Sequence, residues 1–473
     1  MEDALLLARE GFGKDAGIPN RLPPGGRRGR GPRVLLLTSS LGSGHVRAAQ
    51  AIELAMHARN FGANVLTLDF WSLMDARVAQ AVRTAYLRLV QEHPGLFDRI
   101  YHLDQSMWRA IFERSEPPPA AFREVLALLP RVSAATEPGD EGTQHPSDRL
   151  MLPLLTAALS GRPRGTGAGS RLLRLGLVQT AWARLSRRLV AEIDAFAPDV
   201  IVATQMNSAA LLSWARKKGR LRIPTIGVPT DYGLHDFWRQ SSIDCYCIAH
   251  EYANDAQSTE LDPRKVIATG IPLMPGFCHP PPSHEARKSL GLDSAVPVVL
   301  VTGGGLGLGV QSVARDLLAI RTPLQLLVVA GHNSAALRAL RPLTALHPDR
   351  LRVYEWTDSM EVFVRAADIV VGKPGGLTVA EVLACGRPLL ATRALGGQEG
   401  FNVRFLERHG VGRLFPEAGL KHAVEDLLSH PEALRGMKRR AWALGRRSGA
   451  DSIAELIQRA AGTQLASRTE ARH

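Results

Sequence analysis

Cysteine is scarce in this chain: four in 473 residues, too few for a disulfide framework. Cys245 and Cys247 alternate in "DCYCIAH", as on one strand face, and no second Cys/His pair lies at zinc spacing. The chain therefore reads as reduced and free of metal. No hydrophobic run approaches the roughly 18 residues of a membrane span. The start, "MEDALLLAREGFGKD", is acidic with a short leucine run, so it does not read as a secretion signal. Aromatic residues make up 5% of the chain, and no nucleic-acid motif is visible, so nucleic acid is not an expected partner. Acidic residues are also short in number. Against 58 Lys and Arg stand 45 Asp and Glu, a formal charge of +13. That surplus suits phosphorylated ligands or an anionic membrane surface.

What is present is a repeating strand–helix rhythm. The length exceeds one ordinary core, and 45% hydrophobic with 22% charged residues is the balance of a globular protein. Residues 1–32 end in "RLPPGGRRGRG", a basic tail that cannot pack a core. Short aliphatic strands are then predicted at Val34–Thr38, Asn64–Leu68, Asp199–Ala203, Thr225–Val228, Cys245–Ala249 and Lys265–Ala268. A second series follows at Val298–Thr302, Gln325–Ala330, Leu351–Tyr354, Asp368–Val371 and Pro388–Ala391. Such runs separated by helical patterns imply parallel sheets covered on both faces. The expected organisation is α/β: one Rossmann-like domain over 33–271, a proline-rich linker at 272–284, a second Rossmann-like domain over 285–440, and C-terminal helices and tail over 441–473. The rhythm breaks between the second and third strands, where about 115–170 reads as an insertion. After it Leu175, Val178, Trp182, Leu185, Leu189, Ile193 and Phe196 fall at helical spacing, with Arg171, Arg174, Arg184, Arg187 and Arg188 beside them. This amphipathic stripe either packs on a sheet or lies on anionic lipid.

Three stretches carry chemistry. In "VLLLTSSLGSGHVRAAQAI" a buried strand runs through Gly42 and Gly44 into a helix that opens with His45, the arrangement that points a loop at a ligand crevice. In "VVLVTGGGLGLG" a strand ends in bare backbone amides at Gly303, Gly304, Gly305, Gly307 and Gly309, suited to an anion or a sugar hydroxyl. It is not a dinucleotide fingerprint, because the spacing is wrong and the next strand ends in Gly331, His332 and Asn333 rather than an acidic residue. In "DIVVGKPGGLTVAEVLACGRPLLATRALGGQEGFNVRFL" a helix starting after Gly375 and Gly376 offers its amide-rich N-terminus to a diphosphate. Glu381, one turn in, has the carboxylate to accept both hydroxyls of a ribose, and Gln398, Glu399 and Asn402 have groups that fix sugar hydroxyls.

These segments resemble the glycosyltransferases that include monogalactosyldiacylglycerol synthases and bacterial diacylglycerol glucosyltransferases, with a more distant likeness to the N-acetylglucosaminyltransferase of peptidoglycan lipid intermediates. "GSGHVRAAQAI", "PTDYGLHDFW", "VTGGGLGLG" and "KPGGLTVAEVLACGRPLL" with "GGQEGFN" carry the match over about residues 33–440. "YLRLVQEHPGLFDRIY" (Tyr86–Tyr101) is similar to the region near the lipid acceptor in the diacylglycerol-using branch. The resemblance implies a GT-B fold, two Rossmann-like domains facing a central cleft, with the acceptor on the first and a UDP-sugar on the second. It implies inverting transfer without an obligatory metal or cofactor, and the chain has no Asp-x-Asp triplet. His45 is the implied base, with Asp231 or His235 to orient or assist it. The implied donor site comprises Gly44, Gly304, Gly305, His332, Trp356, Gly375, Gly376, Leu377, Thr378, Glu381, Gln398, Glu399 and Asn402. The expected partners are a UDP-sugar, a lipid acceptor (diacylglycerol foremost) and the anionic inner face of the cell membrane, to which the enzyme binds peripherally from the cytoplasm. A polyprenyl-linked or soluble acceptor, a UDP-N-acetylglucosamine 2-epimerase and a non-catalytic sugar-nucleotide sensor stand as alternatives.

Overall fold

The structure is a computed structural model that describes residues 31–74, 183–234, 242–255, 261–394 and 397–470, with Ala76, Ala79, Gln80, Arg83 and Trp238. The basic tail, Tyr86–Tyr101, His235 and the insertion at 115–170 lie outside these residues.

Two all-parallel sheets of six strands organise the chain. The first holds β1 (Arg33–Thr38), β2 (Asn64–Asp69), β3 (Val200–Ala203), β4 (Thr225–Gly227), β5 (Cys245–Cys247) and β6 (Val266–Ile267), in the order β2-β1-β3-β4-β5-β6. The second holds β7 (Val298–Thr302), β8 (Gln325–Val329), β9 (Leu351–Tyr354), β10 (Ile369–Gly372), β11 (Leu389–Ala391) and β12 (Gly412–Leu414), in the order β12-β11-β10-β7-β8-β9.

The aliphatic runs follow from this burial. In β1, Leu35 and Leu37 point into one core with Leu189, Ile193 and Phe196. Val34 and Leu36 point into another with Ile52 and Met56 of the helix Ser43–Ala58. A strand covered on both faces has no solvent side on which to alternate. Leu189, Ile193 and Phe196 of the amphipathic stripe are core residues, so those positions are not available to lipid. One strand goes unread in the sequence. β12 is three residues long at the sheet edge with Arg413 and Leu414 exposed, so it has no apolar pattern to detect.

The helix Pro431–Leu444 stays with the second sheet, burying Leu434 and Ala441. The chain then crosses back, and the helix Gly449–Glu470 lays Ala450, Ile453, Ala454, Ile457 and Ala461 against Val34, Leu36, Val200 and Val202. Arg59 pairs with Asp451 and Glu455 along the same seam. Each exposed pair contributes about 0–1 kcal/mol, whereas each buried isoleucine contributes about 1.5–3 kcal/mol. Packing, rather than charge, docks this helix.

In each sheet the chain reverses its winding once: between β1 and β3 in the first, and between β7 and β10 in the second. Ligands of open α/β sheets bind outside the carboxyl ends of the strands at such switch points. Here the two switch points open onto one cleft of about 270 Å³, lined from the first unit by Ser40–His45 and Thr230, and from the second by Thr302–Leu306, Lys373, Gly375–Thr378 and Glu381.

Candidate active site

The wall contributed by the first domain begins where β1 ends. The Ser40 amide donates to Asp69 Oδ1 at 3.1 Å, and Gly42, at φ +108, turns the chain in a conformation that a side chain would resist. The helix Ser43–Ala58 then starts at the cleft, with His45 in its first turn. The His45 Nδ1 lies 2.9 Å from the Thr204 carbonyl oxygen and 3.2 Å from the Thr230 hydroxyl. A carbonyl only accepts, so Nδ1 carries the ring proton and Nε2 keeps its lone pair. Part of the ring opens onto the cleft, and the rest is enclosed by the protein. Burial lowers the pKa to about 4 against the opposing pull of the Thr204 bond. His45 is therefore neutral at physiological pH.

The opposite wall begins where β10 ends. The helix Gly376–Ala384 follows with Gly375 at its N-cap and no side-chain cap, so its first amides are left for other partners. Glu381 faces the cleft from this helix, and its carboxylate accepts no hydrogen bond from the described residues. Burial raises its pKa to about 8; Arg47 opposes the shift and Glu361 adds to it. Lys373 and Glu399 form an ion pair in the same wall. Gln398 reaches across to the first domain, its Nε2 3.6 Å from the Met206 sulfur. The Gly303–Gly305 loop faces the Gly42–Gly44 loop: a Cβ on Gly305 would lie 3.1 Å from Ser43 Oγ, and one on Gly44 would lie 3.7 Å from Leu377 Cβ.

At one end of the cleft Trp356 stacks on His332, with ring centroids 4.5 Å apart and planes at 13°. Arg47 covers the same indole at 5.3 Å and pairs with Asp358. Trp356 lines the cleft, while His332 supports it and donates its backbone amide to the Gly305 carbonyl at 3.0 Å.

Three expectations from the sequence change. His332, placed in the donor site by the resemblance, does not line the cleft but backs Trp356. Asn402 does not face a ligand. It is fully buried, its Nδ2 donates to Asp231 Oδ1 at 2.9 Å and to the Pro374 carbonyl at 3.0 Å, and its Oδ1 accepts from the Tyr232 amide at 2.8 Å. With its amide group engaged on both sides, it clamps one domain to the other. Asp231 does not orient His45, a task taken by Thr204 and Thr230. Its carboxylate instead accepts from Asn402 and the Gly376 amide, and burial raises its pKa against the pull of Asn402, Lys373 and Gly376. His235 lies outside the described residues. Gly44, Gly304, Gly305, Trp356, Gly375, Gly376, Leu377, Thr378, Glu381, Gln398 and Glu399 all line the cleft with His45 and Asp231.

The residues that sequence reasoning missed are Arg47, Thr204, Thr230 and Lys373. Lys373 sits inside the quoted "KPGG", and Thr204 directly follows a strand beside the switch point, so both had a positional signal. Arg47 sits inside the quoted "GSGHVRAAQAI", but its partner Asp358 is 311 residues away, so nothing nearby in sequence pointed to that pairing. Among the described residues no group of three or more His, Cys, Asp or Glu could hold a metal ion.

Comparison with known proteins decides the family. Residues 172–273 match the monogalactosyldiacylglycerol synthase family, and residues 298–459 match the C-terminal domain of glycosyltransferase family 28. The processive diacylglycerol beta-glucosyltransferase of Bacillus pumilus is 31% identical over 58% of this chain and 71% of its own. The chain belongs to this glycosyltransferase family. A probable chloroplastic monogalactosyldiacylglycerol synthase 3 of Oryza sativa is 30% identical over 48% of this chain and 47% of its own. The crystal structure of MurG from Acinetobacter baumannii superposes with a TM-score of 0.50 at 14% identity, covering 90% of this chain and 99% of that one. The glycosyltransferase thus has the GT-B fold. Its cleft holds the neutral imidazole of His45 on one wall and, on the other, a helix N-terminus and the Glu381 carboxyl group, which accepts no hydrogen bond from the described residues. No helix among its described residues is long and apolar enough to cross a membrane.

Proposed function

We propose that this glycosyltransferase moves a sugar, with inversion, from a UDP-sugar to the free hydroxyl of diacylglycerol at the cytoplasmic face of the membrane. The observation that carries the reading is that one cleft holds, on opposite walls, His45 with an unprotonated Nε2 and Glu381, whose side chain accepts no hydrogen bond from the described residues. In this reading the ribose hydroxyls donate to Glu381 and the base lies on Trp356. The diphosphate meets the amides of Leu377 and Thr378 with Lys373 nearby, and the sugar lies against Gln398 and Glu399. His45 Nε2 takes the proton of the acceptor hydroxyl as its oxygen attacks the anomeric carbon. The bond from that carbon to the phosphate oxygen breaks, and UDP leaves with the electron pair, stabilised by the helix N-terminus. The two relatives named above are a diacylglycerol glucosyltransferase and a monogalactosyldiacylglycerol synthase, which supports diacylglycerol as acceptor. The formal charge of +13 favours an anionic lipid surface.

The test is to incubate the full chain with labelled UDP-glucose or UDP-galactose and anionic vesicles containing diacylglycerol. Labelled, alkali-sensitive glycolipid is expected. Label found only on a polyprenyl carrier or a soluble sugar would replace the acceptor, and epimerised UDP-N-acetylglucosamine without transfer would overturn the reading. Within the same system at pH 8.5, where Glu381 is ionised, Glu381→Ala should weaken UDP binding by about 1.5–3 kcal/mol, the contribution of a hydrogen bond to a charged group. Titration calorimetry with UDP alone measures this, and an unchanged dissociation constant in a folded variant would remove Glu381 from the donor site.

A further inference from the structure

We propose that Phe405 is a positioning residue that ties the sugar-holding end of the cleft to the first domain, so that the anomeric carbon is set against His45 through a helix of the second domain. The inference rests on the reading of Gln398 and Glu399 as the residues that hold the sugar, and it concerns transfer rather than nucleotide affinity.

Gln398 and Glu399 open the helix Gln398–Arg408. Positions 398, 402, 405 and 409 follow one another at the spacing of a single helical face. That face is docked on the first domain along its whole length. Gln398 Nε2 meets the Met206 sulfur at 3.6 Å, and Asn402 bonds Asp231 and the Tyr232 amide. Phe405 packs on Tyr232 with ring centroids 4.1 Å apart, and on His250 and Tyr252 at 5.2 and 5.6 Å. His409 ends the row against His250 at 5.6 Å. Phe401, on the same side, fits with no space to spare: a Cβ on Gly233 would lie 2.2 Å from its ring. These partners follow β3, β4 and β5, so the seam spans the carboxyl ends of three strands of the first sheet. The side of the helix marked by Glu399 and Leu406 belongs to the second domain. Glu399 pairs with Lys373, and Leu406, as fully buried as Phe405, shares a core with Leu389 and Val411.

Transfer needs the acceptor oxygen within about 3–3.5 Å of the anomeric carbon, and an error of about 1 Å costs on the order of a hundredfold in rate. The base that prepares that oxygen stands on the first domain. A sugar held by the second domain alone would carry any play between the domains into the reacting distance. The docked face removes that play where it matters, because Gln398 and Glu399 sit on a helix keyed to the same domain as His45. Phe405 is the apolar centre of the seam, one turn past Asn402 and buried against three first-domain rings. UDP, in this reading, lies on Trp356 and the helix Gly376–Ala384, neither of which is part of this helix. Loosening the seam therefore disturbs the sugar and leaves the nucleotide in place.

The experiment measures kcat with the UDP-sugar that wild type uses and anionic vesicles containing diacylglycerol, and UDP affinity by calorimetry, on the full chain and its variants. Phe405→Ala should lose about 10- to 100-fold in kcat while its UDP dissociation constant stays within about twofold of wild type. Phe405→Leu, which keeps an apolar side chain against Tyr232, should recover most of the turnover. Phe401→Ala, at a half-buried position, keeps the test independent of folding and should lose about tenfold in kcat, again with UDP affinity retained. Leu406→Ala removes an equally buried side chain from the same helix, so it should lower the melting temperature comparably yet keep kcat within about threefold of wild type. Equal losses of turnover in Phe405→Ala and Leu406→Ala, near-native turnover in Phe401→Ala, or a loss accounted for by weaker UDP binding would make the seam structural only and overturn the proposal. If Gln398→Ala and Glu399→Ala both transfer like wild type, the sugar is not held at this end; the reading beneath the proposal then fails and takes the proposal with it, an outcome distinct from the others.

Discussion

His45→Ala should bind the UDP-sugar normally and transfer almost nothing. In the proposed reading the donor sits mainly on the second domain, whereas His45 stands on the first with Nε2 turned to the acceptor hydroxyl. A general base contributes about 100- to 10,000-fold to rate, so turnover should fall by that factor. His45→Gln should be equally slow, since an amide cannot take the proton. Retention of more than about a tenth of wild-type turnover in either variant would remove His45 from the role of base.

The pH profile separates the two ends of the cleft. At saturating donor, kcat reports the complex, and its acid limb should lie far below the ordinary imidazole value, because burial brings His45 to about 4. Under subsaturating donor, kcat/KM should instead fall as pH drops through about 8, because Glu381 then takes up the proton that donor binding must expel. An acid limb of kcat near 6.5 would mean that the ring is solvated during turnover.

Gly376→Ala should be nearly as damaging, for a reason unrelated to helix propensity, which alanine would improve. A Cβ on Gly376 would lie 1.9 Å from the Thr230 carbonyl oxygen and 2.7 Å from Asp231 Oδ1. Both are atoms of the other domain, and a backbone carbonyl cannot swing aside as a long side chain can. The domains must separate where His45, Thr230 and the donor helix converge. A displacement of about 1 Å is enough to cost on the order of a hundredfold in rate. Each sheet keeps its own core, so the variant should remain folded with near-native circular dichroism and lose at least a hundredfold in turnover. Near-native turnover would show that the domains work further apart than they stand here.

The contrast between these residues explains what could be read from sequence. The strands Val34–Thr38 and Val298–Thr302 were legible because burial on both faces writes itself as unbroken aliphatics. The glycine loops and His45 were legible because a ligand-facing turn after such a strand needs those residue types. Asn402 was misread because a carboxamide suits a sugar hydroxyl and a backbone amide equally well; its complete burial between Asp231, Tyr232 and Pro374 is a property of two domains meeting. Asp231 was recognised as a site residue, but its partner was misassigned for the same reason. The setting of His45 by Thr204 and Thr230, 159 and 185 residues away, depends on which strands become neighbours at the switch point. Pattern within a segment records burial and turning. It does not record which distant segment will arrive opposite.

The return of the helix Gly449–Glu470 to the first sheet bears on how the molecule is made. Synthesis runs from the N-terminus, so Val34, Leu36, Val200 and Val202 emerge long before Ile453 and Ile457, their eventual cover. One face of the first sheet, covered in part by the helix Ser43–Ala58, stays incompletely covered through translation of the entire second domain, whose two cores are nearly complete by residue 441. The domain that begins first therefore finishes last. Its nascent form presents a partly uncovered aliphatic surface, the kind of surface that chaperones hold and that aggregates when they do not.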